Sequence, residues 1–253
     1  MARYKLTLAY DGTHFAGSQR QQGRRTVQGE LEQALRRLGW NGRSILLAGR
    51  TDSGVHAWGQ VAAFDWEWSH SLQALQQALN ANLPSDMVVR RVEMVPADFH
   101  PRYDAVARCY RYRLFLQPLR DPFRERYAWR VWPEVDGEQL QALARLWPGR
   151  HDFRAFGSPP RAEGHTVRTV FSATWQNLGD EWHFQIEADA FLYRMVRRLV
   201  YVQVAVAQGR FSSAQVKEAL ERGLALPAGL APPQGLMLME VKYSIETPQE
   251  LER

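Results

Sequence analysis

Several features that define whole classes of protein are scarce in this sequence. Among 253 residues there is one cysteine, Cys109, which excludes an internal disulfide and a cysteine-based metal cluster. No apolar run is long enough to span a membrane, and the first residues carry no apolar stretch of the kind found in secretory signals. These absences favour a soluble, cytoplasmic protein with no membrane partner.

Signatures of bound nucleotides and metals are missing as well. The sequence contains neither a phosphate-binding P-loop nor the Gly-x-Gly-x-x-Gly fingerprint of dinucleotide sites. His151 and Asp152 are adjacent in sequence, and that spacing does not point two ligands at one ion. We therefore expect neither a cofactor nor a metal.

Lysine is also rare. Only Lys5, Lys217 and Lys242 are lysines, so 29 of the 32 basic residues are arginines, and the net charge is +5. Arginine binds phosphates through two parallel hydrogen bonds and stacks on bases, which favours an RNA partner. Codon bias in a GC-rich genome would produce the same skew, and the composition does not separate the two explanations.

The hydrophobic pattern divides the chain into two mixed halves, residues 1–100 and 101–253. Alternating apolar residues predict strands, and apolar residues three to four positions apart predict helices. No sequence repeat relates the halves, and the pattern alone predicts an α+β fold. Strands are predicted at 4–10, 44–47, 61–64, 87–95, 109–116, 167–175, 182–186 and 236–241, and helices at 26–38, 72–79, 136–147, 190–208 and 212–222.

Residues 48–56 form a loop between two predicted strands, with a composition that packing does not require. Gly49 and Gly54 bracket Asp52, which lies between Arg50 and His56. Glycines let a loop approach a ligand closely, so Asp52 is a candidate reactive carboxylate. An ordinary alternative is that Asp52 closes a turn through bonds to backbone N–H groups.

The run Gly-Arg-Thr-Asp-Ser-Gly-Val-His at residues 49–56 is very similar to the signature of the TruA family of tRNA pseudouridine synthases. The catalytic aspartate of that family occupies the position of Asp52. Two positions depart from the family pattern: Ser18, where an aromatic residue is usual, and Tyr201, where glycine is common. Further segments that resemble the family lie at residues 10–19, 26–32, 107–112, 151–156, 191–197 and 231–236.

This resemblance implies a fold and a function. The fold would be two ferredoxin-like (RRM-like) α/β halves that share a central antiparallel sheet, with the active-site cleft between them. The enzyme would be a homodimer that converts uridine to pseudouridine in the anticodon arm of tRNA, at positions 38, 39 or 40. Asp52 would be the nucleophile, Arg197 would face it and keep it ionised, and Tyr110 would pack against the target base and help to remove its C5 proton.

The expected substrate-binding residues surround this site. Arg50, His56 and Tyr110 belong to the family-like motifs, and residues 12–25 form a long basic loop. Such a loop is either mobile surface or an arm that contacts phosphates. The candidates in this loop are Arg20, Arg24 and Arg25.

Two other functions are compatible with parts of the sequence. An RNA-binding protein without catalysis would use the arginines and tyrosines as an RRM-like surface, but no RNP1-like run is present. A metal-dependent nuclease would need further acids beside Asp52, whereas its near neighbours are Arg50 and His56.

The expected absence of a metal can be tested directly. We expect pseudouridine formation on tRNA to persist after exhaustive treatment with EDTA, because the sequence shows no ligand set. A chemical probe for pseudouridine measures the product. Loss of turnover that zinc or magnesium restores, while the RNA structure is held constant, would contradict the expectation.

Overall fold

The first half of the chain forms a β-α-β-β-α-β unit. The structure is a computed structural model that describes residues 1–159 and 163–244. Strand β1 lies between β3 and β4, antiparallel to both, and β2 pairs with β3, which gives the ferredoxin-like order β4-β1-β3-β2. These elements are β1 (Ala2–Tyr10), α1 (Val27–Arg37), β2 (Leu46–Leu47), β3 (His56–Trp66), α2 (Leu72–Asn82) and β4 (Met87–Val95).

The second half repeats this arrangement. Strands β10, β5, β9 and β8 are neighbours in that order, and α3 and α4 connect them as α1 and α2 do in the first half. The expected pair of ferredoxin-like halves is therefore confirmed, although no repeat is visible in the sequence. Its elements are β5 (Ala105–Leu116), β6 (Trp129–Val131), α3 (Gly137–Ala144), β7 (Gly149–Asp152), β8 (Val167–Leu178), β9 (Glu181–Ala188), α4 (Met195–Ala207), α5 (Ser213–Arg222) and β10 (Leu236–Tyr243).

Strand β3 joins the halves into one sheet of mostly antiparallel strands. The main path of the sheet runs β4-β1-β3-β10-β5-β9-β8-β7. The start of β3 pairs in parallel with β10, through His56 and Ala57, whereas its later residues Ala62 and Ala63 pair with β2. The loop from β2 to β3 therefore enters the sheet where the two halves meet. This is the loop that carries Asp52.

The helices begin and end where local chemistry requires. The hydroxyl of Thr26 accepts a hydrogen bond from the Gly29 N–H at the start of α1, and Ser212 with Gln215 forms a capping box at the start of α5. Each cap satisfies backbone donors that have no partner inside the helix. The apolar face of α1 is fully buried against the sheet, and its residues are Val27, Leu31, Ala34 and Leu35.

Several predicted boundaries were wrong. The helix predicted at 190–208 begins only at Met195, because the backbone of Tyr193 exchanges hydrogen bonds with Ser158 instead of entering the helix. The helix predicted at 136–147 ends at Ala144. Residues 117–135, predicted to be a connection, include β6. Part of the predicted flexible loop at 157–164 lies outside the described residues.

The helices of the described residues are too short or too polar to cross a membrane.

The boundary between residues 100 and 101 stays a prediction. Next to this boundary, the Tyr243 hydroxyl on β10 donates to the Pro101 carbonyl, 2.7 Å away.

Candidate active site

An ion pair between Asp52 and Arg197 spans the two halves of the molecule. Arg197 Nη1 donates to Asp52 Oδ2 across 2.7 Å, although the residues are 145 positions apart. The side chain of Asp52 is 23% exposed and that of Arg197 is 11% exposed. The pair is therefore shielded from water and yet open to a ligand on the carboxylate side.

Arg197 is held in place from behind. Its Nε donates to the Ala231 carbonyl across 2.8 Å, and the Ala231 N–H donates to the Arg197 carbonyl across 3.3 Å. Arg197 lies in the first turn of α4, where the helix dipole disfavours a cation. The local helix thus provides no reason for the charge, and its interaction with Asp52 accounts for it.

The loop that carries Asp52 is fixed through its neighbour Thr51. The Thr51 N–H donates to Ser18 Oγ (2.9 Å), and the Ser18 N–H donates to the Thr51 carbonyl (3.1 Å). The Thr51 hydroxyl also bonds to the Tyr10 hydroxyl at 2.8 Å. Ser18 is fully buried, so this departure from the family pattern serves as an anchor for the loop and offers no stacking surface.

Two glycines allow the chain to pass directly beneath this loop. Gly17 has φ +93°, and a Cβ built on it would lie 2.8 Å from the Thr51 carbonyl oxygen. A Cβ on Gly12 would lie 2.0 Å from the Val55 carbonyl oxygen, which no packing can accommodate. The motif at residues 10–19 is therefore the support on which the Asp52 loop rests.

Tyr110 lies on β5 near Asp52. It is 9% exposed and packs edge-to-face on Phe191, with ring centroids 5.1 Å apart. Burial raises the pKa of Tyr110 above its ordinary value of 10.0, and the nearby Tyr10 and Asp52 raise it further. Its hydroxyl has no hydrogen-bond partner among the described residues and keeps its proton at neutral pH.

The chain was compared with protein families, curated proteins and solved structures. The family described as tRNA pseudouridine synthase matches residues 7–104 and 143–244. Proteins named tRNA pseudouridine synthase A are 43% identical in Geobacillus kaustophilus (96% of this chain, 95% of that protein) and 40% identical in Brevibacillus brevis (96% of this chain, 100% of that protein). Among solved structures, the archaeal box H/ACA sRNP Nop10-Cbf5 complex is a distant likeness, with a TM-score of 0.42, 11% identity and coverage of 81% of this chain and 43% of that one.

The chain belongs to the tRNA pseudouridine synthase family. It is therefore an isomerase, as the sequence resemblance implied.

In the structure, His56 makes its contacts within the protein, and its expected role in substrate binding stays a prediction. The side chain is almost fully buried, its Nδ1 accepts from the Gly12 N–H (3.0 Å), and its Nε2 lies 3.2 Å from the Gln234 carbonyl oxygen. Burial lowers the pKa of His56, which favours the neutral ring, although the Asp11 carboxylate, with Oδ1 3.1 Å from Nδ1, acts in the opposite direction. Because both nitrogens are engaged, His56 joins the halves.

Asp11, Arg126 and Tyr127 were missed by the sequence analysis. Asp11 Oδ2 accepts from Arg126 Nη2 (2.8 Å) and from the Tyr127 hydroxyl (2.9 Å), and the Tyr127 ring lies 5.2 Å from that of His56. Burial alone would raise the pKa of Asp11, but hydrogen bonds from Thr13, Tyr127 and Arg126 lower it. Residues 126 and 127 have no periodic pattern, and only Asp11 gave a signal, through its family-like motif.

The predicted substrate-binding arginines divide into two groups. Arg50 and Arg24 are exposed and have no acidic partner within the described residues. Arg25 instead forms salt bridges with Asp86 (2.7 Å) and Glu30 (2.8 Å), and hydrogen bonds to Asp86 raise its pKa. Arg25 thus helps to hold the loop in place, and its role in substrate binding stays a prediction.

Arg20 shares features of both groups, because it has an acidic partner and yet remains partly exposed. It forms a salt bridge with Glu32 at 2.7 Å, but its side chain is half exposed. Glu32 is fully buried and also accepts from the Ile45 N–H, just before β2. Arg20 therefore stabilises the entry to the Asp52 loop while keeping part of its charge on the surface.

Tyr201 occupies a position where the family commonly has glycine. Its ring lies against Gly229, where an added Cβ would come within 1.9 Å of the ring. The Arg198 and Arg210 guanidinium groups lie 5.7 and 5.3 Å from the ring centroid. The tyrosine therefore fills space between α4 and the loop that leads to Ala231.

The candidate metal ligands of the sequence are otherwise engaged. His151 Nε2 lies 3.1 Å from the Pro148 carbonyl oxygen, and Asp152 bonds to Arg154 and Thr166. Within residues 1–159 and 163–244, no three His, Cys, Asp or Glu side chains are grouped to hold a metal ion.

The buried His56 predicts how stability depends on pH. Because burial lowers its pKa below the ordinary 6.5, the unfolded chain binds a proton more readily than the folded chain below that pH. The stability contributed by neutral His56 is full above about pH 6.5 and is lost as the pH falls. We expect the thermal midpoint to fall between pH 7.5 and 5.5, and His56→Gln to have a lower midpoint at pH 7.5 but a shallower fall.

Differential scanning calorimetry across this range measures the effect. The matched control is His14→Gln, since His14 is exposed and its loss should leave the pH dependence unchanged. A His56→Gln midpoint that falls as steeply as that of the wild type would contradict the role assigned to His56.

Proposed function

We propose that this enzyme isomerises uridines of the tRNA anticodon arm, at positions 38, 39 or 40, with Asp52 as the nucleophile. The observation that carries the proposal is the Asp52–Arg197 ion pair at the junction of the halves, 2.7 Å long and partly open on the carboxylate side. The anticodon arm, a homodimeric enzyme and a cytoplasmic location rest on the resemblance to the TruA family.

The reaction breaks one bond to the sugar and makes another. The bond from uracil N1 to the ribose C1′ breaks, the base rotates, and C5 bonds to the same C1′. C5 loses a proton and N1 gains one, so no redox change occurs. A carboxylate can assist through a covalent intermediate at either the sugar or the base, and the geometry is compatible with both routes.

Arg197 would keep Asp52 reactive through this cycle. Its guanidinium donates to the Asp52 carboxylate across 2.7 Å and would hold it in a fixed orientation beside the target base. When Asp52 forms a covalent bond its charge is lost, and the bond from Arg197 Nε to the Ala231 carbonyl holds the guanidinium in place. The carboxylate released at the end would regain the same partner.

We assign Tyr110 two tasks at the extruded base. Its ring, braced by Phe191, is a surface for the uracil to pack on, since a base outside its stack must find another flat contact. Its hydroxyl is the candidate to receive the C5 proton. Because the pKa of Tyr110 is raised, a preformed phenolate is disfavoured, and the neutral hydroxyl would take the C5 proton while releasing its own proton to solvent at the open side of the cleft.

The exposed arginines supply contacts to the phosphates. Arg50 lies two residues from Asp52, and Arg24 lies in the adjacent loop without an acidic partner among the described residues. Phosphate contacts position the RNA, while the pocket around Asp52 and Tyr110 handles the base.

Asp52→Asn separates a catalytic carboxylate from a turn residue. The change keeps the shape and removes the charge, so we expect tRNA affinity close to that of the wild type and loss of turnover by several orders of magnitude. Stability should fall by only about 1–3 kcal/mol, because Arg197 keeps its bond to Ala231. Tritium release from C5-labelled tRNA measures turnover.

The matched control is Asp65→Asn. Asp65 also pairs with an arginine, Arg3, at 2.7 Å, but near the far end of β3. That variant should lose a similar ion pair and keep its turnover. An Asp52→Asn enzyme that forms pseudouridine at a rate near wild type would end the proposal.

Tyr110→Phe tests the hydroxyl separately from the ring. We expect tRNA affinity to stay near wild type, since the ring remains, and turnover to fall with a deuterium isotope effect at C5, since proton removal becomes slower. The wild-type rate should not rise with pH between 7 and 9, because Tyr110 stays neutral there. A rate that rises tenfold per pH unit in the wild type and not in Tyr110→Phe would instead indicate a phenolate base.

A further inference from the structure

Three arginines lie at the start of α4, and one of them is without a role in the site described above. Arg197 binds Asp52, and Arg198 donates to the carbonyls of Gly229 (2.8 Å) and Pro227 (2.6 Å). Arg194 has neither a salt bridge nor a side-chain hydrogen bond within the described part of the chain. Its charge is therefore available.

The backbone of Arg194 is unusual. At φ 62° it is the only non-glycine residue with positive φ in residues 1–159 and 163–244. This left-handed conformation disfavours residues with a Cβ, and glycine would adopt it without strain. Ordinary packing thus favours glycine here, and an arginine in strained backbone at the edge of an active site indicates a function for its side chain.

Tyr193 and Arg194 form an exposed pair of side chains. The Arg194 guanidinium lies 4.7 Å from the centroid of the Tyr193 ring, and Tyr193 is 52% exposed. The backbone of Tyr193 is fixed by two hydrogen bonds to Ser158, of 2.8 and 3.4 Å. The pair is thus a flat ring beside a positive charge, held on rigid backbone.

The chain places this pair at the edge of the cleft. Two residues before Tyr193, Phe191 packs on Tyr110, and one helical turn after Arg194, Arg197 reaches Asp52. A helical turn spans about 5.4 Å, so the pair lies close to the reacting groups without touching them.

We propose that Tyr193 and Arg194 hold the nucleotide next to the extruded uridine. Extrusion leaves that neighbour without its stacking partner, and an exposed aromatic ring can replace the partner. Arg194 would bind the phosphate of the same nucleotide through its two parallel donors. This inference rests on the proposed function and adds a binding residue pair outside the pocket of the target base.

The test uses full-length enzyme, unmodified tRNA and four variants. Arg194→Gly removes the charge and relieves the backbone, and Tyr193→Ala removes the ring, whereas Tyr193→Phe keeps the ring. The matched control is Arg150→Gln, because Arg150 is an exposed arginine on β7, at the far edge of the sheet. The readouts are the thermal midpoint, KM, kcat and the dependence of KM on salt.

We expect Arg194→Gly to be at least as thermostable as the wild type, with KM raised about tenfold and kcat within about twofold. The slope of log KM against log salt should fall by about 0.7 to 0.9, the contribution of one phosphate contact. Tyr193→Ala should raise KM by a similar factor at unchanged salt slope, and Tyr193→Phe and Arg150→Gln should match the wild type.

Wild-type KM and salt slope in Arg194→Gly, or wild-type KM in Tyr193→Ala, would overturn the proposal. Failure of the proposed function would give a distinct result, because the wild-type enzyme itself would then form no pseudouridine. In that case the dissociation constants of the same variants for tRNA still decide the role of the pair.

Discussion

The whole arrangement depends on bringing one carboxylate and one guanidinium together from opposite halves of the molecule. Asp52 and Arg197 are both poorly solvated, and Arg197 stands at the end of a helix that disfavours its charge. Without its partner, each residue would be a partly buried and uncompensated charge, which is energetically unfavourable. An ion pair of this kind contributes little to stability after desolvation, so its presence is best explained by the chemistry it permits.

Separate hydrogen bonds hold Asp52 and Arg197 in position, each within its own part of the fold. The Asp52 loop is tied through Thr51 to Ser18 and Tyr10, and Arg197 is tied to Ala231. A second set of contacts joins the halves, because Asp11 accepts hydrogen bonds from Arg126 and Tyr127. The ladder between β3 and β10 is short, with two residue pairs, so these side-chain contacts complete the junction.

Local features of the structure could be predicted from the sequence, and long-range ones could not. The starts of the helices predicted from residues 26 and 212 and the limits of β4 follow from neighbouring residues, and the structure has them within one residue of the predicted positions. The site residues came from the family-like motifs, since composition left Asp52 open to a turn. The contacts of Asp11 with residues 126 and 127 join positions more than a hundred residues apart, and no periodic pattern encodes such a pairing. The burial of His56 is likewise not visible in the sequence.

The excess of arginine had two explanations that composition could not separate, and the contacts separate them residue by residue. Arg3 and Arg25 neutralise buried or half-buried acids, and a genome-wide preference for arginine over lysine would account for them. Arg50 and Arg194 have no acid to neutralise among the described residues, and in the sequence they precede Asp52 by two positions and Arg197 by three positions, respectively. A charge without an internal partner has to be balanced by solvent or by a ligand, and an RNA backbone offers that balance at the mouth of the cleft. RNA binding would therefore explain particular arginines at the cleft, whereas a genome-wide preference would explain the high arginine content of the chain as a whole.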